Sequence, residues 1–183
     1  MEFIDINDLK SKYSNCQTKS DSQTILLLYS YILKYERVDS DWWREDHGCN
    51  DVVSILERTF NDEEWNLFEE DIENWTEDQI ELFILSILSG TSGNGIDEDE
   101  KVRNIQREYT LMKRADFLLK KKEIYSSIML WDNIWFFEKI PNLSFEYLDQ
   151  IAKHIGFYEN LNTKWEDSDG MYLFKKILKR AKK

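Results

Sequence analysis

The chain has few of the residues that interrupt helices. One Pro and six Gly are spread over 183 residues, and Val and Thr are sparse beside Ile, Leu, Glu and Lys. That balance favours helix over sheet. Cysteine is nearly absent: Cys16 and Cys49 stand far apart with no Cys-x-x-Cys, which excludes a disulfide framework and reads as a reduced, cytosolic protein. No apolar run approaches the roughly 20 residues of a membrane-spanning helix. The opening MEFIDINDLK has no basic region followed by an apolar one, so no secretory signal is expected. Basic residues are missing from one long stretch. Between Arg58 and Lys101 there are 14 acids and no Lys or Arg.

Apolar mass is present in quantity. Aromatics make up 14% of the chain, including seven Trp, enough to build a core in one domain spanning 1–183, with a possible sub-boundary in the Gly-rich loop 91–96. The net charge of −12 is unevenly divided. Residues 1–100 hold 25 acids and 7 bases, whereas residues 101–183 hold 11 acids and 17 bases. A negative field of that extent repels nucleic acid and anionic membrane and attracts basic partners.

Phe60 to Gly90 carries the strongest pattern. Trp65, Phe68, Ile72 and Trp75 recur at helical steps, and Asp62, Glu63, Glu64, Glu69, Glu70, Asp71 and Glu73 fill the remaining face. Thr76 and Gln79 form a capping box that starts a second helix. Ile80, Leu82, Phe83, Ile84, Leu85, Ile87 and Leu88 then cover most of its circumference, as in a helix with neighbours on nearly every side.

Elsewhere the spacing predicts helices over Ile4–Tyr13 and from a cap at Asp21 or Ser22 to about Arg37. A third helix, capped by Asn50, carries Val52, Val53, Ile55, Leu56 and Phe60. Asp39–Gly48 reads as a loop or single turn. Beyond the loop, helices are predicted from Asp97 to about Lys122, over Glu123–Lys139, over Phe145–Ile155 with Ser144 as cap, and over Met171–Lys182. The fold class is therefore all-α, about eight helices in a compact bundle or a short stack of helical hairpins.

No pattern for chemistry survives inspection. Gly90–Gly95 matches the start of a phosphate-binding P-loop, but Ile96 and Asp97 replace the required Lys and Ser or Thr. Asp97, Asp99 and Glu100 lack the register of a calcium loop and suit the opening of a helix. His47 and Cys49, with Asp46 beside them, are too close in sequence to form a nucleophile–base pair readily, and His154 is the only other imidazole. Two His and two Cys spread along the chain do not make a zinc motif, and no Glu-x-x-His supports a di-iron bundle. No catalytic residue, metal ligand or cofactor is expected.

Three features suit binding. Trp42 and Trp43 are adjacent, so one can be buried with the other partly covered, or one can serve as an exposed interface anchor. Lys175, Lys176, Lys179, Arg180, Lys182 and Lys183 form a basic helix end that complements its dipole or pairs with the acidic half, within one chain or between copies. The acidic face of 62–73 is either a solvated helix surface or an interface. Acids crowded without interspersed Lys forgo the usual i, i+4 pairing and repel one another, and a basic partner would relieve that repulsion.

In size, acidity and helical pattern the chain resembles the immunity proteins that bacteria make against their own or neighbours' toxins. The resemblance implies a non-catalytic, cytoplasmic inhibitor. Asp62, Glu63, Glu64, Glu69, Glu70, Asp71 and Glu73 would then meet a basic partner such as a nuclease, with Trp42 or Trp43 as apolar anchor. The alternative is a helical scaffold that takes a peptide or partner helix in an apolar groove. An enzyme ranks third.

Overall fold

The computed structural model describes residues 3–43, 47–89, 111, 114, 137–138, 144–154, 157–158 and 169–183. The chain divides into two compact units, Met1–Gly93 and Asn94–Lys183. Every regular element among the described residues is helical, as the composition requires.

Among its described residues the first unit holds α1 (Ile6–Lys12), α2 (Gln23–Tyr35), α3 (Gly48–Thr59), α4 (Asp62–Ile72) and α5 (Glu77–Ser89). Their starts follow the expected capping chemistry. Asp5 accepts from the Asn7 amide at α1, Ser22 from Ile25 at α2, and Asn61 from Glu64 at α4. The capping box of α5 forms in both directions: the Gln79 amide donates to Thr76 Oγ1 at 3.3 Å, and the Thr76 amide donates to Gln79 Oε1 at 3.0 Å. The third helix departs from expectation. It begins at Gly48 with His47 at the cap position, so Asn50 lies inside it and caps nothing. Just before it the His47 amide donates to the Trp42 carbonyl at 3.3 Å, and Gly48 stands against the two indoles.

α5 is the centre of the unit, packed against α3 and α2, which also touch each other. Ile80, Phe83, Ile84, Leu85 and Ile87 are all buried, as are Ile25, Leu28 and Ile32 of α2 and Val52, Val53 and Leu56 of α3. The predicted stripe of α4 faces the same core. Phe68 meets Phe83 with ring centroids 4.9 Å apart and Trp75 at 5.3 Å, and Trp75 meets Tyr29 at 4.6 Å. Full burial of each such side chain contributes roughly 1.5–3 kcal/mol.

Residues 13–22 have no helix of their own and are fixed by buried polar groups. Gln79, fully buried, accepts from Tyr29 Oη at 2.9 Å and donates to the Asn15 carbonyl at 3.1 Å and to Glu36 at 3.2 Å. Its amide side chain is thereby satisfied on both ends. Tyr29 Oη also accepts from the Gln17 amide at 2.7 Å.

In the second unit the described helices are α6 (Phe145–His154) and α7 (Asp169–Ala181), which pack on each other. Ser144 caps α6 as predicted, accepting from the Tyr147 amide at 3.3 Å. Leu148, Ile151 and Ala152 meet Phe174, Ile177 and Leu178 in its core, with Phe157 edge-on to Phe174 at 5.2 Å. Arg180 reaches across from α7 to the carbonyls of Phe137 and Glu138, at 2.7 and 2.6 Å, while Lys176 pairs with the Glu138 carboxylate at 2.6 Å. That pair lowers the Glu138 pKa, chiefly through the Lys176 hydrogen bond. Lys176 and Arg180 of α7 thus bind another segment, and Lys182 just beyond it lies over the Phe145 ring at 5.7 Å. The helices predicted over 97–122 and 123–139 fall almost wholly outside the described residues, as do the loop 91–96 and Asp46.

Candidate protein-docking face

The acidic surface is built on α4 and extended by the first turns of α5. Asp62, Glu63 and Glu64 occupy the first turn of α4, where carboxylates favour the helix dipole. Asp62, Glu63, Glu69, Glu70 and Glu73 are exposed, and Glu77, Asp78 and Glu81 of α5 are exposed as well. These eight carboxylates stand in a stretch that has no Lys or Arg.

Two predicted members of the face are turned elsewhere. Asp71 is only 5% exposed. Its carboxylate accepts four hydrogen bonds: from Thr18 Oγ1 at 2.5 Å, the Lys19 amide at 2.7 Å, the Ser20 amide at 3.0 Å and Trp75 Nε1 at 2.9 Å. Glu64 is half-buried and accepts from Ser22 Oγ at 2.6 Å, the hydroxyl that caps α2. Both acids therefore hold residues 18–22 against α4. At about 100° per residue, positions seven apart lie almost on one line, and the line through Glu64 and Asp71 borders the buried Phe68–Trp75 stripe.

The tryptophans are placed apart from this face. Trp43 is 1% exposed and donates its indole N–H to the Tyr35 carbonyl at 3.2 Å. Trp42 is half-buried, stacked on Tyr35 with centroids 4.6 Å apart, and stands edge-on to Trp43. The pair thus adopts the arrangement of one buried ring and one partly covered, and both rings pack on α2. The apolar residue that does lie among the acids is Leu67, 41% exposed between Glu63 and Glu70. It borders a shallow depression of about 390 Å³ whose lining includes Lys19, Ser20, Asp21, Glu70 and Asn74. A single Leu on the polar side of an amphipathic stripe was the sequence signal for this anchor.

Other candidate groups are separated by burial. Cys49 is buried and His47 is exposed. Cys16 is half-buried, and burial raises its thiol pKa. Among the described residues no group of three or more His, Cys, Asp or Glu is placed to hold a metal ion, and no helix is long and apolar enough to cross a membrane. Comparison with family models, with curated proteins and with solved structures finds no match.

Proposed function

We propose that the protein is a non-catalytic binding module that docks the α4–α5 surface on a basic protein partner and neutralises it, in the manner of a bacterial immunity protein against a toxin. The observation that carries this reading is the set of eight exposed carboxylates on α4 and α5, in a stretch of sequence without a base and with Lys19 alone bordering Glu70 from the preceding segment. Such a surface steers a cationic partner into encounter and rejects anionic ones. Leu67, exposed among the acids, supplies an apolar contact for the desolvated centre of an interface. A partner whose own ligand is nucleic acid fits best, because carboxylates at helical spacing imitate the charge of a phosphate chain. Neither nucleic acid nor an anionic membrane suits the same face.

The test is affinity capture of the tagged protein from its own cells, followed by elution with rising salt. A basic protein recovered in stoichiometric amount and released by moderate salt supports the reading, since exposed charges are screened beyond about 8–10 Å at physiological ionic strength. A partner retained through high salt supports the helical scaffold with an apolar groove instead.

A further inference from the structure

Three of the seven bases in residues 1–100 line one cleft. Lys12 comes from the last turn of α1, Lys34 from the last turn of α2, and Arg37 from just beyond it. The cleft encloses about 290 Å³. Bases at helix C-termini complement the dipole, which accounts for Lys12 and Lys34 taken singly. It does not account for their convergence with Arg37, which lies outside either helix. Like charges brought together repel, yet among the described residues no carboxylate forms an ion pair with any of the three. This occurs in the half of the chain with the greatest excess of acids.

The one acid of the cleft, Glu36, has both oxygens engaged. Oε1 accepts from Asn15 Nδ2 at 2.5 Å and Oε2 from Gln79 Nε2 at 3.2 Å. The ammonium groups are placed by aromatic rings: Lys12 Nζ lies 5.2 Å from the Tyr13 centroid, and Lys34 Nζ 4.6 Å from that of Tyr35. Tyr35 raises the Lys34 pKa, chiefly through a hydrogen bond. Tyr13 and Ser14 also border the cleft, and neither hydroxyl makes a hydrogen bond among the described residues.

We propose that this cleft is a binding site for a phosphomonoester dianion. Three cations against one acid leave a formal surplus of two positive charges, which matches that ligand. Arg37 offers the planar fork suited to two phosphate oxygens, the lysines act as point charges, and the Tyr13 and Ser14 hydroxyls are neutral donors. The dianion is carried either by a phosphorylated side chain of another protein or by a small nucleotide. The site is independent of the acidic face and of the partner proposed for it.

The experiment is an amide ¹H–¹⁵N titration of the full chain with inorganic phosphate at constant ionic strength, with chloride as the control. Saturable shifts confined to residues 12–15 and 34–37, and at least tenfold weaker binding in both Lys34→Gln and Arg37→Gln at unchanged melting temperature, support the site. Lys12→Gln, on a different helix, gives the same reading if either variant misfolds. Shifts that rise without saturation, centre on the basic end of α7, or persist in the variants overturn it. O-phosphoserine and adenosine monophosphate, titrated in parallel, separate the two sources: the tighter ligand identifies the carrier. Equal or weaker binding of both than of chloride rejects the site.

Discussion

Thr18 and Asp71, 53 residues apart in sequence, meet in the interior of the first unit with hydroxyl and carboxylate oxygens 2.5 Å apart. Asp71 belongs to a helix whose outer face is acidic, yet it accepts four hydrogen bonds, three from the Thr18–Ser20 segment and one from the Trp75 indole. A buried donor deprived of its acceptor costs about 1–3 kcal/mol. Asp71→Ala is therefore expected to lower stability by about 3 kcal/mol or more in urea denaturation. Glu70→Ala, one residue away and exposed, should stay within about 0.5 kcal/mol. Equal effects of the two substitutions would mean that the carboxylate does not organise residues 18–20.

Gly48 marks a close approach. A Cβ at this position would stand 2.4 Å from Trp43 Cε3, 2.7 Å from Trp43 Cδ2 and 3.0 Å from Trp42 Cζ3. The Trp43 ring is buried and held by its bond to Tyr35, so it has little room to retreat. Gly48→Ala should destabilise by about 1–3 kcal/mol, the range of core overpacking, and should shift the Trp emission of the folded state. The usual gain from placing Ala near a helix start would contradict this packing.

The Tyr29 hydroxyl gives the fold an alkaline limit. Burial pushes its pKa up to about 12 from an ordinary 10.0. The folded state then keeps a proton that the unfolded state releases, so stability from this group is complete below about pH 10. It falls as pH rises toward 12, because the unfolded chain binds fewer protons there. Tyr31 acts in the same direction, raised by burial and then by its hydrogen bond to Asp51. Tyr29→Phe should be less stable at pH 8 but lose stability less steeply between pH 10 and 12. Parallel curves for the two proteins across that interval would show that Tyr29 ionises as easily folded as unfolded.

Much of this architecture was legible in the sequence, and the reasons are local. The Trp65–Phe68–Ile72–Trp75 stripe, the Thr76–Gln79 box and the near-continuous apolar circumference of α5 each follow from spacing alone, and each is found. What spacing did not reveal was the use of polar residues over long range. Spacing predicts only a capping role for Gln79, yet its side chain also joins Tyr29, Asn15 and Glu36. Charge alone places Asp71 and Glu64 on the surface. Their helical positions beside the buried stripe were the better guide, since a carboxylate there needs donors that only a distant segment can bring. Adjacency of Trp42 and Trp43 left two arrangements open, and the one with a buried ring beside a partly covered one is found, with Trp42 stacked on Tyr35 of α2.

The account rests above all on the acidic surface, and one comparison tests it most directly. Proteins captured by the native chain are compared with those captured by a variant carrying Glu69→Lys, Glu70→Lys and Glu73→Lys, after circular dichroism has shown equal helicity. All three positions are exposed. The account predicts that a basic partner held by the native chain is lost from the reversed one, with binding weakened at least a hundredfold. The same partner retained at equal affinity by the reversed, folded variant would contradict it.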